Sequence, residues 1–439
     1  MIVKSILHTA GSRLLNAVYN LVILLLITHF VGSKGFGVIS LILLDITVIQ
    51  LFTGLIAGGS LIYFTSRIPF YTLLSGAYLW LLLITTLFGG VGVMIHFLFP
   101  SAFYLFVPRG YATDIIILVL VGSAMQIHYN LLIGQKRIAT YNLLFIFQIT
   151  LFIVWFSLSL FIFRQEGITS YVTALYVAWF AGWILSLLVL ISQQHSPFVV
   201  KELGKTFREL IRYGLPTQSA LMLHIGNKRL SFYVLRIFAG LSPLGIYSAG
   251  VQLTEGLRLI GQSISLVQYS AISNSRDKTY ARYLSIQLMK FTLILTFAAL
   301  IFLFIIPRPI YQWVFTRSFS EIKTIVLLLS PGVLALAATT IFSHYFSGIG
   351  HPEINLRANV IGFVFTILLA FLLIPPLGYK GAAITASVNY LSSVVYQYVV
   401  FRQQTKTRFS EWFPQKEDLL FFKKVVKQWQ SSHANHNKF

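Results

Sequence analysis

The segment Phe30–Ser40 reads FVGSKGFGVIS, and the segment Phe238–Ser248 reads FAGLSPLGIYS. A shift of 208 residues (238 minus 30) superposes them, and four of the eleven positions are identical. The identical pairs are Phe30 with Phe238, Gly32 with Gly240, Gly37 with Gly245 and Ser40 with Ser248. Glycine allows tight turns and close backbone approach between helices. The repetition therefore predicts two copies of one helical hairpin, although unrelated membrane hairpins also share glycines.

A second echo appears at a shift of 216 residues. It pairs Gly134 with Gly350 and Ile138 with Ile354. Because each echo occupies the same place in its half of the chain, a duplication of six helices is favoured. The predicted division is an N-terminal six-helix lobe (1–191), a basic cytoplasmic linker (192–212), a C-terminal six-helix lobe (213–401) and a basic amphipathic cytoplasmic tail (402–439).

The composition predicts an all-α integral membrane protein with about twelve transmembrane helices. Hydrophobic residues make up 56% of the chain, charged residues 10%, and the mean hydropathy is +0.78, whereas soluble domains carry about 25% charged residues. Runs of about 20 apolar residues are needed to span the hydrocarbon core. Twelve such runs begin near Leu14, Val38, Gly76, Thr113, Tyr141, Ile168, Tyr213, Gly245, Tyr283, Ile322, Asn355 and Lys380. Their length and lack of alternation argue against a β-barrel.

The formal charge of +21 reports membrane orientation. Of the 33 basic residues, 21 fall in one set of loops, 7 in the opposite set and 5 inside the runs. The positive-inside rule then places both termini in the cytoplasm. The basic excess indicates contact with anionic membrane lipids rather than with nucleic acid.

Several other features limit the classes of site. The first apolar run lacks a small-residue cleavage pattern, so no cleavable signal peptide is expected. The chain has no cysteine, which excludes disulfides, thiolate metal sites and cysteine nucleophiles. No Gly-rich phosphate loop, metal-spaced histidine pair or nucleophile motif occurs in the cytoplasmic loops, and no cofactor is expected.

Lys228 and Arg229 stand side by side within the seventh run, Tyr213–Ile237. A basic side chain at mid-membrane depth costs roughly 2.5 to 3.5 kcal/mol, so such residues usually face a protein interior or a watery cavity. The eighth run has a polar stripe at helical spacing. That stripe comprises Gln252, Glu255, Arg258 and Gln262.

These charges predict an anion-binding site. Arg229 and Glu255 fall at comparable depth and could pair, which by itself describes a structural ion-pair network. Three basic residues (Lys228, Arg229 and Arg258) against Glu255 nevertheless leave a net charge of +2, which suits a pyrophosphate. A misplaced seventh run, with Arg236 at the outer surface, is a further alternative.

Isolated polar residues in the first two runs are the remaining candidates. Asp45 has only apolar neighbours three and four residues away, so it must reach another helix. An intramembrane carboxylate is a candidate for proton or sodium coupling, as is Glu255, unless Asp45 pairs with a cation. Asn16 and Asn20 lie four residues apart on one helix face, where they could bind sugar hydroxyls or bridge helices.

The chain resembles the polysaccharide-exporter branch of the multidrug/oligosaccharidyl-lipid/polysaccharide (MOP) superfamily, which includes Wzx-type flippases. The resemblance rests on the twelve runs, the two halves, the hairpin at Phe30–Ser40, the Gly-Gln-Lys-Arg turn at Gly134 and the Gly-Ile-Gly-His-Pro turn at Gly348. It implies two bundles with alternating access that move an undecaprenyl-pyrophosphate oligosaccharide to the outer leaflet of a bacterial inner membrane. A polysaccharide polymerase and chain-length machinery are implied partners.

Two other functions are weighed against a flippase. A cation-coupled multidrug antiporter of the sister branch shares this architecture, but a cavity for cations should carry more carboxylates than Asp45 and Glu255. A membrane-embedded glycan polymerase or ligase needs catalytic groups outside the membrane. The longest outer loops, Pro100–Ala112 and Ile306–Glu321, are too short for a catalytic domain.

The charged cluster is absent from the first half of the repeat. At the 208-residue shift, Lys228, Arg229, Glu255 and Arg258 correspond to Asn20, Leu21, Thr47 and Gln50. A packing device of the duplicated scaffold should recur in both halves. The one-sided cluster therefore predicts a docking site for an asymmetric anionic head group on the second lobe.

Overall fold

The computed structural model describes residues 18–192, 203–273 and 277–413, and no β-strand occurs among them. The helices are α1 (Val18–Phe30), α2 (Gly32–Ala57), α3 (Gly59–Phe64), α4 (Phe70–Leu98), α5 (Pro100–Phe106), α6 (Ala112–Gly134), α7 (Ile138–Phe161), α8 (Gly167–Ser192), α9 (Leu203–Phe238), α10 (Leu241–Ser273), α11 (Lys278–Ile305), α12 (Arg308–Phe315), α13 (Ile322–Gly348), α14 (Glu353–Leu377) and α15 (Tyr379–Thr405).

Each predicted apolar run coincides with one of these helices, with α3 continuing α2 after a bend at Gly58. In the described ranges, eight helices are long and apolar enough to cross a membrane. Three further long helices, α9, α10 and α15, are more polar. The prediction of an all-α membrane protein with about twelve spans is confirmed. Helix α9 already includes Leu203, inside the predicted linker, and the lobe boundaries stay a prediction.

The two longest of the loops that are predicted to be outer contain short helices that the sequence did not predict. Helix α5 lies between α4 and α6, and α12 lies between α11 and α13. Each has a proline in its first turn, where the missing N–H costs no helical hydrogen bond. Their first residues, Pro100 and Arg308, differ by the same 208 positions as the hairpins. The short helix therefore belongs to the repeated unit.

The chain groups into two compact units. The first comprises the residues up to Gly256 together with Ile306–Leu329 and Phe363–Asn389, and the second comprises Leu257–Ile305, Ser330–Gly362 and the residues from Tyr390 onward. Leu73, Ile127 and Leu210 are fully buried in the core of the first unit. Ile341 and Phe401 are fully buried in the core of the second. Because lipid is as apolar as these side chains, close packing supplies the stabilisation.

A closed ring of hydrogen bonds joins α4, α6 and α8 in the first unit. Trp183 donates to the Tyr78 hydroxyl at 2.8 Å, which contacts His128 Nε2 at 2.8 Å. His128 Nδ1 contacts Ser186 Oγ at 2.8 Å, and Ser186 donates to the carbonyl of Trp183 at 2.9 Å. One direction of donation, with the proton of His128 on Nδ1, satisfies every group. This completeness matters because an unpaired buried polar group is costly.

The repeated hairpins have matching turns. Gly32 has φ +72° and Gly240 has φ +94°, a conformation in which a Cβ is unfavourable. The cytoplasmic turns of the second echo match less well, because the positive φ falls on Lys136 in the first half and on Gly350 in the second. The outer hairpin is thus the better-preserved element of the duplication.

The other matched glycines place the two hairpins in direct contact. A Cβ at Gly37 would stand 2.0 Å from the carbonyl oxygen of Leu241, and a Cβ at Gly245 would stand 1.8 Å from that of Ser33. Since Ser33 and Leu241 also differ by 208, the two contacts are equivalent under the repeat. Ser33 Oγ and Ser242 Oγ form a hydrogen bond of 2.8 Å at the same place. The hairpins therefore pack backbone to backbone about a pseudo-two-fold relation.

Helix α2 also meets α9 near the end that the charge bias predicts to be cytoplasmic. Gln218 donates to the carbonyl of Leu51 at 2.7 Å, and a Cβ at Gly214 would lie 1.9 Å from the carbonyl oxygen of Leu55. Tyr213 stacks on Tyr63 with ring centroids 4.3 Å apart. Within the first unit, the two halves of the repeat thus touch at both ends of α2.

In the second unit, Arg282 of α11 holds the segment that follows α15. Arg282 Nε donates to Thr407 Oγ1 at 3.0 Å, and its guanidinium also pairs with Glu411. Trp412 packs against Phe401 with ring centroids 5.6 Å apart. The predicted basic amphipathic tail (402–439) lies outside the described residues beyond position 413.

Replacing either close-contact glycine should destabilise the protein. For Gly37→Ala or Gly245→Ala the new methyl group meets backbone, which cannot rotate away, and overpacking of this kind costs about 1–3 kcal/mol. Gly90→Ala is the matched control, because no atom lies within 4 Å of a Cβ there. Thermal unfolding of the purified protein in detergent measures the effect. Equal unfolding temperatures for all three variants would contradict the proposed role of the contact.

Candidate anion-binding site

Helices α9 and α10 are joined by an ion pair between Lys228 and Glu255. Lys228 Nζ lies 3.3 Å from Glu255 Oε1, and the Lys228 side chain is 10% exposed. The sequence left open a pairing of Arg229 with Glu255, and in the structure Lys228 forms the ion pair with Glu255. Successive helix residues point about 100° apart, so the face that carries Lys228 toward α10 turns Arg229 elsewhere.

Arg229 lies over an aromatic ring. Its guanidinium carbon is 4.8 Å from the ring centroid of Phe232, which is buried one turn later on α9. A cation–π contact uses the face of the guanidinium, which leaves its N–H donors for other acceptors. Among the described residues, Arg229 forms no salt bridge. The pair Lys228 and Arg229 against Glu255 therefore carries a net charge of +1.

The side chain of Gln252 contacts the backbone of Asn20, not its side chain. Gln252 Nε2 donates to the backbone carbonyl of Asn20 at 3.3 Å, and the residue Asn20 is exposed on α1. At Gln252, α10 thus contacts α1. Asn16, the other predicted sugar-contacting residue of this run, lies outside the described residues.

Arg258 and Gln262 lie on α10 in the second unit. When the Gln262 amide oxygen faces Arg258, it accepts from Nη2 at 2.6 Å and from Nε at 2.9 Å. Gln262 is neutral, and in the ranges that the structure describes Arg258 forms no salt bridge. Whether Arg258 and Gln262 contribute to the anion site stays a prediction.

Asp45 finds its partner on α9. The carboxylate is buried, and its Oδ1 accepts a hydrogen bond of 2.7 Å from the Tyr233 hydroxyl, while Oδ2 is buried without a partner. The sequence did not single out Tyr233, because a tyrosine in an apolar run normally signals packing or the membrane interface. Its place five residues after Lys228 links the isolated carboxylate to the helix that carries the cationic pair.

Asn227, directly before Lys228, positions this part of α9. Asn389 of α15 donates to the carbonyl of Asn227 at 3.2 Å and to its side-chain oxygen at 3.3 Å. Thr366 of α14 contacts the same side-chain oxygen at 3.5 Å. These contacts orient α9 at the depth of the cationic pair. The sequence did not point to them, because asparagine and threonine carry no charge.

Comparisons with known proteins agree with this architecture. The family model described as "Polysaccharide biosynthesis protein" matches residues 2–260. An uncharacterised membrane protein of Methanocaldococcus jannaschii is 26% identical over 197 residues, which are 44% of this chain and 39% of that protein. The chain thus matches well under half the length of that relative.

Solved structures share the fold. The lipid II flippase MurJ, in an inward closed conformation, has a TM-score of 0.74 at 17% identity, covering 94% of this chain and 89% of that one. An inward-facing multidrug resistance transporter of the MATE family has a TM-score of 0.69 at 16% identity, covering 90% and 98%. A MOP superfamily transporter from Pyrococcus furiosus, described as having a binding pocket of reversed polarity that suggests a different function, has a TM-score of 0.56 at 15% identity, covering 91% and 95%.

These structural likenesses establish the fold alone, because at such low sequence identity a shared fold does not imply a shared function. The expected membership of the MOP superfamily is confirmed by the fold and by the family match together. Since that match covers more than half of the 439 residues, this multi-pass membrane protein belongs to the polysaccharide biosynthesis protein family.

Proposed function

We propose that the protein is a flippase for undecaprenyl-pyrophosphate-linked oligosaccharides. It moves these repeat units from the cytoplasmic to the outer leaflet by alternating access, for O-antigen, capsule or exopolysaccharide biosynthesis. The observation that carries the proposal is the surplus positive charge of Lys228 and Arg229 over Glu255 inside a membrane fold. The family match and the shared fold with a lipid II flippase support it.

The chemistry of the pair suits a diphosphate. Basic side chains at membrane depth are expensive, and a doubly charged ligand with several oxygens can engage both donors at once. Lys228 supplies a compact ammonium and Arg229 a planar fork of N–H groups. Glu255 holds Lys228 in place between transport events. The sugars fill the water-accessible space while the polyprenyl chain stays in lipid.

The contacts at both ends of α2 support alternating access. At the outer end the matched hairpins touch through Gly37 and Gly245, and at the cytoplasmic end Gln218 and Tyr213 meet α2 and α3. Most of these contacts are single hydrogen bonds, ring stacks or glycine approaches, each of modest energy. Alternating access would separate these contacts at one end at a time.

The proposed setting is the cytoplasmic membrane of a bacterium, where a polysaccharide polymerase and chain-length machinery would receive the product. The alternative function is a cation-coupled multidrug antiporter. The structural likeness to a MATE transporter favours this alternative. A cavity for cationic drugs should be negative, whereas Lys228 and Arg229 make this region positive. A membrane-embedded glycan polymerase or ligase is less well supported, because the longest outer loops form only short helices.

Removing the cationic pair should abolish export. The variant Lys228→Gln/Arg229→Gln loses two charge-assisted interactions, each of which accounts for roughly 1.5–3 kcal/mol, or about 10- to 100-fold in affinity. The measurement is surface glycan together with lipid-linked intermediates accumulated in cells that depend on this protein. Arg212→Gln, an exposed change on the same helix, is the control. Wild-type export by the double variant, with normal membrane insertion, would refute the assignment.

Locking the outer hairpins should stop transport reversibly. In Ser33→Cys/Ser242→Cys the two sulfur atoms replace hydroxyl oxygens 2.8 Å apart, close enough for a disulfide, and no native cysteine competes. We expect export to fall under oxidation and to recover with reductant, while each single-cysteine variant stays active. A fully formed disulfide with unchanged export would show that these ends need not separate.

Asp45 is the proposed site of proton or sodium coupling, with Glu255 as a second candidate. Asp45→Asn keeps an acceptor for the Tyr233 hydroxyl but removes the charge, so export by this variant should no longer respond to the ion gradient. Tyr233→Phe keeps the charge and should keep the response. Export rates with the proton or sodium gradient collapsed separate the two cases. If wild-type export is indifferent to both gradients, the coupling role is wrong.

A further inference from the structure

A group of basic side chains surrounds Tyr104 on the short outer helix α5. Arg236 Nη2, in the last turn of α9, approaches the carbonyl of Tyr104 at 3.5 Å. The guanidinium carbon of Arg109 lies 5.2 Å from the centroid of the Tyr104 ring. The imidazole of His96, in the last turn of α4, meets the same ring edge to face at 5.5 Å. All four residues belong to the first unit.

Two of these groups have unused hydrogen-bonding atoms. Arg236 Nε and His96 Nδ1 are buried without a hydrogen-bond partner. The hydrogen bond from Arg236 to the Tyr104 carbonyl is long, and within the described part of the chain Arg236 forms no salt bridge. No acidic residue occurs between Ile95 and Tyr111. Buried hydrogen-bonding atoms that lack partners are costly. A phosphate oxygen would accept from Arg236 Nε, and from His96 in the tautomer that carries its proton on Nδ1.

The surroundings of the cluster are those of a membrane interface. Phe97, Leu98 and Phe99, which follow His96, are 78%, 63% and 63% exposed in the structure. Exposed side chains this apolar belong in acyl chains, and the positive-inside orientation puts this end of α4 at the outer leaflet. The cluster thus combines an apolar rim for lipid tails with positive charge.

The second half of the repeat lacks the cluster although it contains the same short helix. At the 208-residue shift, His96 corresponds to Phe304 and Tyr104 to Gln312, while Arg109 corresponds to Arg317. Arg236 has Thr28 as its counterpart in the other direction. Of these four residues, only Arg109 has an identical counterpart in the other half of the repeat. The scaffold of the short helix therefore does not require the basic group around Tyr104.

We infer that Arg109, Arg236 and His96 form, around Tyr104, a binding site for the phosphate group of a lipid in the outer leaflet. Arginine donors match phosphate oxygens in geometry and charge, and the exposed apolar residues beside them receive the lipid chains. The ligand is a lipid phosphate, whether it comes from a bulk phospholipid or from a polyprenyl diphosphate. The inference stands apart from the proposed function, because it concerns binding and not export.

The test is lipid binding by the purified full chain, followed by native mass spectrometry. The probes are phosphatidylglycerol, undecaprenyl diphosphate and inorganic diphosphate. Arg109→Gln/Arg236→Gln should weaken binding of one or both lipids about tenfold or more, which corresponds to loss of about 1.5 kcal/mol or more of charge-assisted bonding. Arg317→Gln, an exposed change at the repeat counterpart of Arg109, should leave lipid binding unchanged.

Other results would overturn the inference. These are equal lipid binding by the double variant and the wild type, an equal loss with Arg317→Gln, or inorganic diphosphate binding as tightly as the lipids. The lipid that loses affinity identifies the source of the phosphate. If Arg236→Gln does not fold, Arg109→Gln and His96→Gln carry the same comparison, and Arg236→Lys should retain binding because it retains the charge.

Discussion

The close backbone contact between the two repeated hairpins is the constraint on which the described fold depends. In lipid there is little hydrophobic force between helices, so association relies on close packing and on hydrogen bonds. Gly37 and Gly245 supply that packing in a reciprocal arrangement, each against the carbonyl of the opposite hairpin. The contact brings α2 alongside α9, and the Asp45–Tyr233 and Gln218–Leu51 hydrogen bonds follow from that placement.

A symmetric scaffold makes the asymmetric residues informative. The turns, the close-contact glycines and the short outer helices recur in both halves, so geometry explains them. Lys228 and Glu255 have neutral counterparts, as do His96 and Arg236. Because the duplicated fold does not require these charges, we propose that they serve to bind ligands. Both groups are basic, one within α9 and α10 and one at the outer end of α4, α5 and α9.

Sequence patterns predicted the helices well and the pairings poorly. The twelve apolar runs were recognisable because a membrane span demands about 20 apolar residues regardless of its neighbours. Arg229 was considered as a possible partner of Glu255, but Lys228 forms the pair, because depth along two helices can be counted from the sequence whereas their rotation cannot. The sequence did not identify Tyr233 and Tyr104 for a related reason. The Tyr233 hydroxyl matters only because the fold brings Asp45 to it, and the Tyr104 ring only because the fold brings Arg109 to it.

The sequence by itself determined the membrane class, the helical content, the duplication and the one-sided distribution of intramembrane charge. These properties depend on composition and on periodicity along one chain. The tertiary structure alone decided that the matched glycines face each other, that Asp45 meets a phenol and that Arg236 turns toward α5. Such contacts depend on the rotation and tilt of each helix, which arise from packing between residues far apart in sequence and leave no local pattern.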